Sequence, residues 1–300
     1  MAQSRPRNNK SNHPHKSHRI PLWAILLVVG FFVVALTIRE SNVSSETSST
    51  EMSGTGSDSR SEAVHHGVQS YGDLMMVVTN PSLTEQRVDY KGFDVSYNSQ
   101  MHLPNWVSWE LLGSETEGDV TRAKKFVADE SVAGCAEDYD YSYSGYDRGH
   151  MAPAGDMKWD GQAMAESFYM TNICPQDHAL NSGAWGNLEK KCRTWARHDS
   201  VLYIVSGPVL TDKLTETIGD SRVSVPKRFF KVILAPYAVP PRAIGFVMNN
   251  GKVKGGMQEA AVSVDEVERI TGHDFFSTLP DSLEQEVERQ CDFHYWSTLR

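Results

Sequence analysis

Between Tyr146 and Arg193 the chain gathers most of its chemistry-bearing side chains into two blocks, YDRGHMAPAGDM and YMTNICPQDHALNSGAWGNLEKKCR. In the first, Asp147, Arg148, Gly149 and His150 set a carboxylate, a guanidinium and an imidazole within four residues at a glycine-relaxed bend. Polar density of that kind is costly to bury unless the groups are paired or used. In the second, Asn172 is expected to end a strand from Phe168 to Ile173, Pro175 and Gln176 to break into a loop, and Asn181 to precede a helix from Ser182 to Arg197. Trp185, Leu188, Cys192 and Trp195 give that helix one apolar face, with Asn181, Glu189 and Arg193 along the other side.

Each polar residue has a plain reading and a chemical one. Asn181 suits a helix N-cap, and its amide oxygen also suits a magnesium ion that keeps most of its waters. Glu189 with Arg193 is an i,i+4 pair worth a few tenths of a kcal/mol. Cleaving a phosphodiester requires a base active near neutral pH, a cation on the phosphate oxygens and help for the departing 3′ oxygen. Histidine meets the first need, and the two blocks together hold the rest.

The blocks resemble the DNA/RNA non-specific endonucleases of the ββα-metal (His-Me finger) group. DRGH followed by MAP, then TNxxPQ, LNxGxW and LE, stand in that family's order, and the likeness extends over most of Tyr71 to Trp296. The resemblance implies a ββα-metal nuclease fold of the α+β class. It also implies His150 as general base, Asn181 as the direct Mg2+ ligand, and Glu189 as the carboxylate acting on metal water and leaving group. The family's active-site asparagine falls on Asn172 and its phosphate-contacting arginines on Arg148 and Arg193. A further arginine falls on Arg122 in DVTRAKKFVAD, where Lys124 is an equal candidate by spacing. The activity so implied is sequence-non-specific endonucleolytic hydrolysis of DNA, RNA or both, with a single Mg2+, or Mn2+, and 5′-phosphate products. The competing reading is an inactive nuclease-fold module that holds extracellular nucleic acid. A zinc enzyme is disfavoured, because no CxxC pair exists and His, Asp and Cys do not recur at zinc spacing.

Around the blocks, strand signals fall at Phe93–Tyr97, Trp106–Leu112, Val201–Ser206, Phe229–Leu234 and Ile244–Met248. Ser263 and Glu266 form a capping box for a helix stopped at Gly272, and another helix is expected from Asp281 to Cys291. These elements predict a largely antiparallel central sheet flanked by helices. Trp106, Trp109, Trp185 and Trp195 read as core, and His178 as a solvent-facing loop residue.

The uncharged run Ile20–Ile38 is long enough to cross a bilayer. Basic residues precede it and acids follow it, which predicts a single-pass protein with a cytoplasmic tail (1–19), an anchor (20–38), a Ser-rich tether (39–70) and a nuclease domain (71–300) outside the cytoplasm, periplasmic or extracellular. A cleaved signal peptide is the rival, but Ala35-Leu36-Thr37 makes a poor cleavage site. In such a compartment Cys135, Cys174, Cys192 and Cys291 are expected to pair, three connectivities being open and 174 with 192 and 135 with 291 the one favoured.

The net charge of -9 excludes a generic polycation that coats nucleic acid. Ten acids against three bases lie in Gln258–Arg300, remote from the two blocks. Lys190, Lys191, Arg193 and Arg197, with Lys227, Arg228 and Lys231, are expected to form a local groove for the nucleic-acid backbone.

Overall fold

A computed structural model of the chain describes residues 73–299. The segments expected as tail, anchor and tether lie outside the described residues.

Alternating or continuous apolar runs build an antiparallel sheet. Its strands are β1 (Gln86–Asp89), β2 (Asp94–Asn98), β3 (Leu103–Leu112), β6 (Val201–Pro208), β9 (Arg228–Ala235), β10 (Arg242–Asn249) and β11 (Ala261–Val262), in the order β1-β2-β3-β6-β9-β10-β11. Every neighbouring pair in it runs antiparallel. Strands β9 and β6 are buried along nearly their whole length, as central strands covered on both faces must be. The result is a mixed α+β fold with a large antiparallel sheet.

Two minor ladders complete the strands: β4 (Asp147–His150) with β5 (Ile173–Gln176), and β7 (Thr217–Ile218) with β8 (Val223–Ser224). Helices follow the local signals. Helix α1 (Gly161–Glu166) starts at Asp160, whose carboxylate accepts from the Gln162 and Ala163 N–H groups. Helix α2 (Gly186–Asp199) continues a wider turn at Leu180–Trp185. It buries Leu188, Cys192 and Trp195, with Trp185 of the turn, in the main core, as their spacing required. Beyond α3 (Gly256–Ala260), helix α4 (Val264–Thr271) is capped by Ser263, whose hydroxyl accepts from Glu266 N–H at 3.1 Å, and is stopped by left-handed Gly272. Helices α5 (Asp281–Glu288) and α6 (Phe293–Thr298) close the chain.

Local structure in the two blocks differs from the sequence reading. DRGH is strand β4 rather than a bend. The strand expected over Phe168–Ile173 is a tight turn at Met170–Asn172, and Pro175 and Gln176, expected to break into a loop, lie in strand β5. The register pairs Gly149 with Cys174 and His150 with Ile173. Glycine is needed there: a Cβ on Gly149 would lie 2.2 Å from the Gln176 side-chain oxygen. All four cysteines are free, contrary to the expected pairing. Cys174 and Cys192 are buried in one apolar core as small, neutral side chains, and burial pushes both thiols up. Cys135 is half-buried, its sulfur accepting from the Asp129 N–H, while Cys291 is exposed beyond α5.

Candidate active site

The β4–β5 hairpin and helix α2 face one cleft, a cavity of about 210 Å3 lined by Arg122, Arg148, His150, Asn181, Glu189 and Arg193 among others. Six of the seven residues named from the sequence thus meet in one place. Arg122 lines the cleft, and Lys124 is not among its lining residues.

Asn172 is the exception. It is fully buried, and its amide is used up: Oδ1 accepts from the Ala152 N–H at 2.8 Å, while Nδ2 donates to the Ala152 and Ser167 carbonyls at 2.8 and 2.9 Å. It clasps the chain just after His150 instead of lining the cleft.

His150 is the last residue of β4 and only 8% exposed. Its ring packs 5.0 Å from Phe168, edge to face, and 5.4 Å from Phe126. Burial, assisted by the Arg122 guanidinium, brings its pKa down from 6.5 to about 3, so the imidazole is neutral at neutral pH. Its Nε2 is buried without a hydrogen-bond partner.

Asn181 sits in the wide turn before α2 and does not cap it; Trp185 occupies the cap position, without a side-chain bond. The Asn181 Nδ2 donates to Asp147 Oδ2 at 3.0 Å, and exposed His178 approaches the same oxygen at 2.8 Å. Among the described residues no donor reaches the Asn181 amide oxygen. Glu189, in the first turn of α2, is half-buried, and burial lifts its pKa from 4.5 to about 7 against the pull of Lys231, Arg193 and Arg122. Asn181 and Glu189 are hard oxygen donors, and a set of that kind fits Mg2+, which binds through one or two protein oxygens and retains its waters.

The arginines are fixed from behind. Arg148 donates through Nε and Nη2 to Asp138 and stacks over Phe126 and Tyr141 at 5.7 and 5.6 Å. Arg122 lies 5.0 Å over the Phe168 ring. Arg193 donates to Asp156 at 2.6 Å, and Gly155 leaves it room, since a Cβ there would lie 2.8 Å from Nη1.

Three contributors had no such role in the sequence reading. Asp147 holds Asn181, and Asp156 holds Arg193; both belong to the first block, which was the available signal. The third is Lys231, expected in a surface groove but wholly buried in β9, because a central strand offers no exposed face. Its ammonium lies 4.7 Å over Trp109 and 4.6 Å over Trp185, and burial lowers its pKa against the attraction of Cys192, Glu189 and Asp156. Arg228, assigned to the same groove, is paired with Asp212 at 2.6 Å.

The β4–β5 pair, the turn leading into α2, α2 itself and the segment carrying Arg122 bring a histidine, two oxygen donors and three guanidiniums onto one cleft, a nuclease class of site. The chain belongs to the DNA/RNA non-specific endonuclease family, whose sequence pattern matches residues 70–282. It is 38% identical over 207 residues to the mitochondrial nuclease EXOG of Danio rerio, covering 63% of this chain and 60% of that protein. Human mitochondrial endonuclease G is 33% identical over 182 residues, 56% of this chain and 61% of that one. The chain therefore spans about 60% of the length of the curated relatives it matches. Among solved structures, a complex of EndoG with EndoGI superposes with a TM-score of 0.62 at 29% identity, covering 66% of this chain and 88% of the other.

These relatives correct the expected location. They are mitochondrial nucleases, which overturns the single-pass topology with a periplasmic or extracellular domain. Among the described residues no helix is long and apolar enough to cross a membrane.

Proposed function

We propose that the chain is a metal-dependent, sequence-non-specific endonuclease that hydrolyses phosphodiester bonds of DNA, RNA or both. The observation behind this reading is that His150, Asn181, Glu189 and three arginines line a single cleft.

His150 acts as general base. Being neutral, it accepts a proton from water aligned with the scissile bond. The phenyl rings of Phe126 and Phe168 fix the imidazole plane, and the Asn172 clasp fixes the backbone behind it. Arg122, Arg148 and Arg193 bind the phosphate and neutralise its charge, which otherwise repels the nucleophile. Asn181, held through its Nδ2 by Asp147, and Glu189 are the residues that would hold a divalent ion. Once bound there, Mg2+ would supply charge stabilisation for the phosphate and the departing oxygen. Glu189 accepts hydrogen bonds from water at that position, so its anionic form is the working one.

The test is cleavage of plasmid DNA and of RNA by chelated protein, with Mg2+ or Mn2+ restored. Cleavage that returns with the ion supports the reading. Tight binding of either polymer with no cleavage in any divalent ion would instead mark a binding module.

A further inference from the structure

Helices α4 and α5 both pack on β10 and meet each other with acidic faces. Asp265 and Glu268 are three residues apart on α4, and Glu288 is the last residue of α5. One carboxylate oxygen from each lies within 4.8 Å of the others. Each acid adjoins a buried valine, Val264, Val267 or Val287, so the core fixes where the carboxylates stand.

Like charges at this spacing drive two helices apart unless something neutralises them. Among the described residues no lysine or arginine pairs with any of the three. The one basic residue on α4, Arg269, turns to Glu266 at 2.6 Å. The other charged groups that act on Glu268 and Glu288, Asp274 and Glu284, are acids as well. Glu288 is 6% exposed, and its Oε1 is buried with no hydrogen-bond partner. Glu268 gives one oxygen to the Phe275 N–H at 2.8 Å and keeps the other. The three thus grade from buried Glu288 through half-buried Glu268 to exposed Asp265, which leaves a solvent side for waters and for entry.

We propose that Asp265, Glu268 and Glu288 form a structural cation site that takes a calcium-like divalent ion and ties α4 to α5. Calcium accepts six to eight oxygens from mono- or bidentate carboxylates and water, in a flexible geometry that suits donors from two helices. Mg2+ demands a tighter octahedron. Without the ion, burial and the surrounding acids lift Glu288 to about 9 and Glu268 to about 7, so Glu288 keeps its proton at neutral pH and a divalent ion would displace it. The site shares no residue with the catalytic cleft, and it stands whether or not the chain cleaves nucleic acid.

The test uses the full chain, stripped with chelator and titrated with CaCl2 by calorimetry and thermal melting. At a calcium concentration a hundredfold above its Kd, the melting temperature is expected to rise by about 5 °C or more. Asn181→Ala should keep that rise, and Asp265→Asn/Glu268→Gln should lose it. Asp265→Asn alone, at an exposed position, serves if the double variant does not fold, and should weaken calcium binding at least tenfold. Glu288→Gln should abolish the response while raising the melting temperature of the chelated chain at pH 8. The proposal is overturned if calcium has no effect on Asn181→Ala, or if the carboxylate variants respond as the parent does. It fails equally if Glu288→Gln stabilises a parent that binds no calcium, since the cluster would then be a proton-holding group only.

Discussion

Arg193 reaches the cleft with its guanidinium already bound, at 2.6 Å, to the carboxylate of Asp156, a side chain 1% exposed. Asp156 also accepts the Trp109 indole N–H at 3.1 Å, so the arginine is anchored to the sheet through a tryptophan. Asp156→Asn keeps the indole contact and removes the charge. We expect a loss of stability of about 1.5–3 kcal/mol, the usual contribution of a hydrogen bond to a charged group, together with weaker substrate binding. Urea unfolding and the KM for plasmid DNA measure the two effects. Unchanged values of both would show that Asp156 does not position Arg193.

His150→Ala should lower cleavage by about 100-fold or more, as expected for a lost general base. The imidazole lies between Phe126 and Phe168, so the variant also leaves a cavity, and a lowered melting temperature is expected along with the loss. His150→Gln fills more of that space and separates the two effects. Near-parental activity in folded His150→Gln would rule out a base at this position.

Asn181→Ala tests the ligand against the cap. Because Asn181 makes no capping bond to α2, its loss should cost less stability than the roughly 1 kcal/mol of a true cap. The Mg2+ concentration needed for half-maximal cleavage should rise at least tenfold. A variant with the parental metal requirement and a destabilised fold would reverse the assignment.

The buried imidazoles carry a share of the stability that acid removes. His273 is 3% exposed, and burial lowers its pKa from 6.5 to about 4; its Nδ1 accepts the Asn80 N–H at 3.0 Å. His150 shifts in the same direction. At these two histidines the unfolded chain binds protons between about pH 6.5 and 4 that the folded chain refuses, so their part of the stability is complete above 6.5 and declines as pH falls through that window. The stability lost through His273 across this window is on the order of 3 kcal/mol. Raised carboxyls such as Glu189, Glu268 and Glu288 act in the opposite sense over this range, so the histidine effect is read as a difference: the urea midpoint of His273→Gln relative to the parent should rise as pH falls from 7 to 4. Parallel slopes for parent and variant would show that His273 is not the titrating group.

The strongly patterned elements were legible. Strands β3, β6, β9 and β10 follow apolar runs, α2 follows its Trp185-Leu188-Cys192-Trp195 stripe, and α4 follows its Ser263 cap and Gly272 stop. The hairpin was not. Arg148-Gly149-His150 and Cys174-Pro175-Gln176 show no alternation, and β4 and β5 exist because they pair with each other and pack on the core. The cleft residues were recognisable by order and spacing, but their behaviour depends on distant partners. Nothing local tells that Ala152 and Ser167 consume the Asn172 amide, or that two tryptophans enclose the Lys231 ammonium. The cysteines misled for a related reason: an even count suits disulfides, while the packing uses two of them as core side chains.

The large sheet ends on short margins: β1 has four residues and β11 only two before Ser263 turns the chain into α4. An open sheet edge is a template on which another chain can add a strand, and a short margin gives an incoming strand few backbone groups to grip. The domain therefore offers little foothold for edge-to-edge aggregation, even though the strands at its centre are among the most apolar stretches it has.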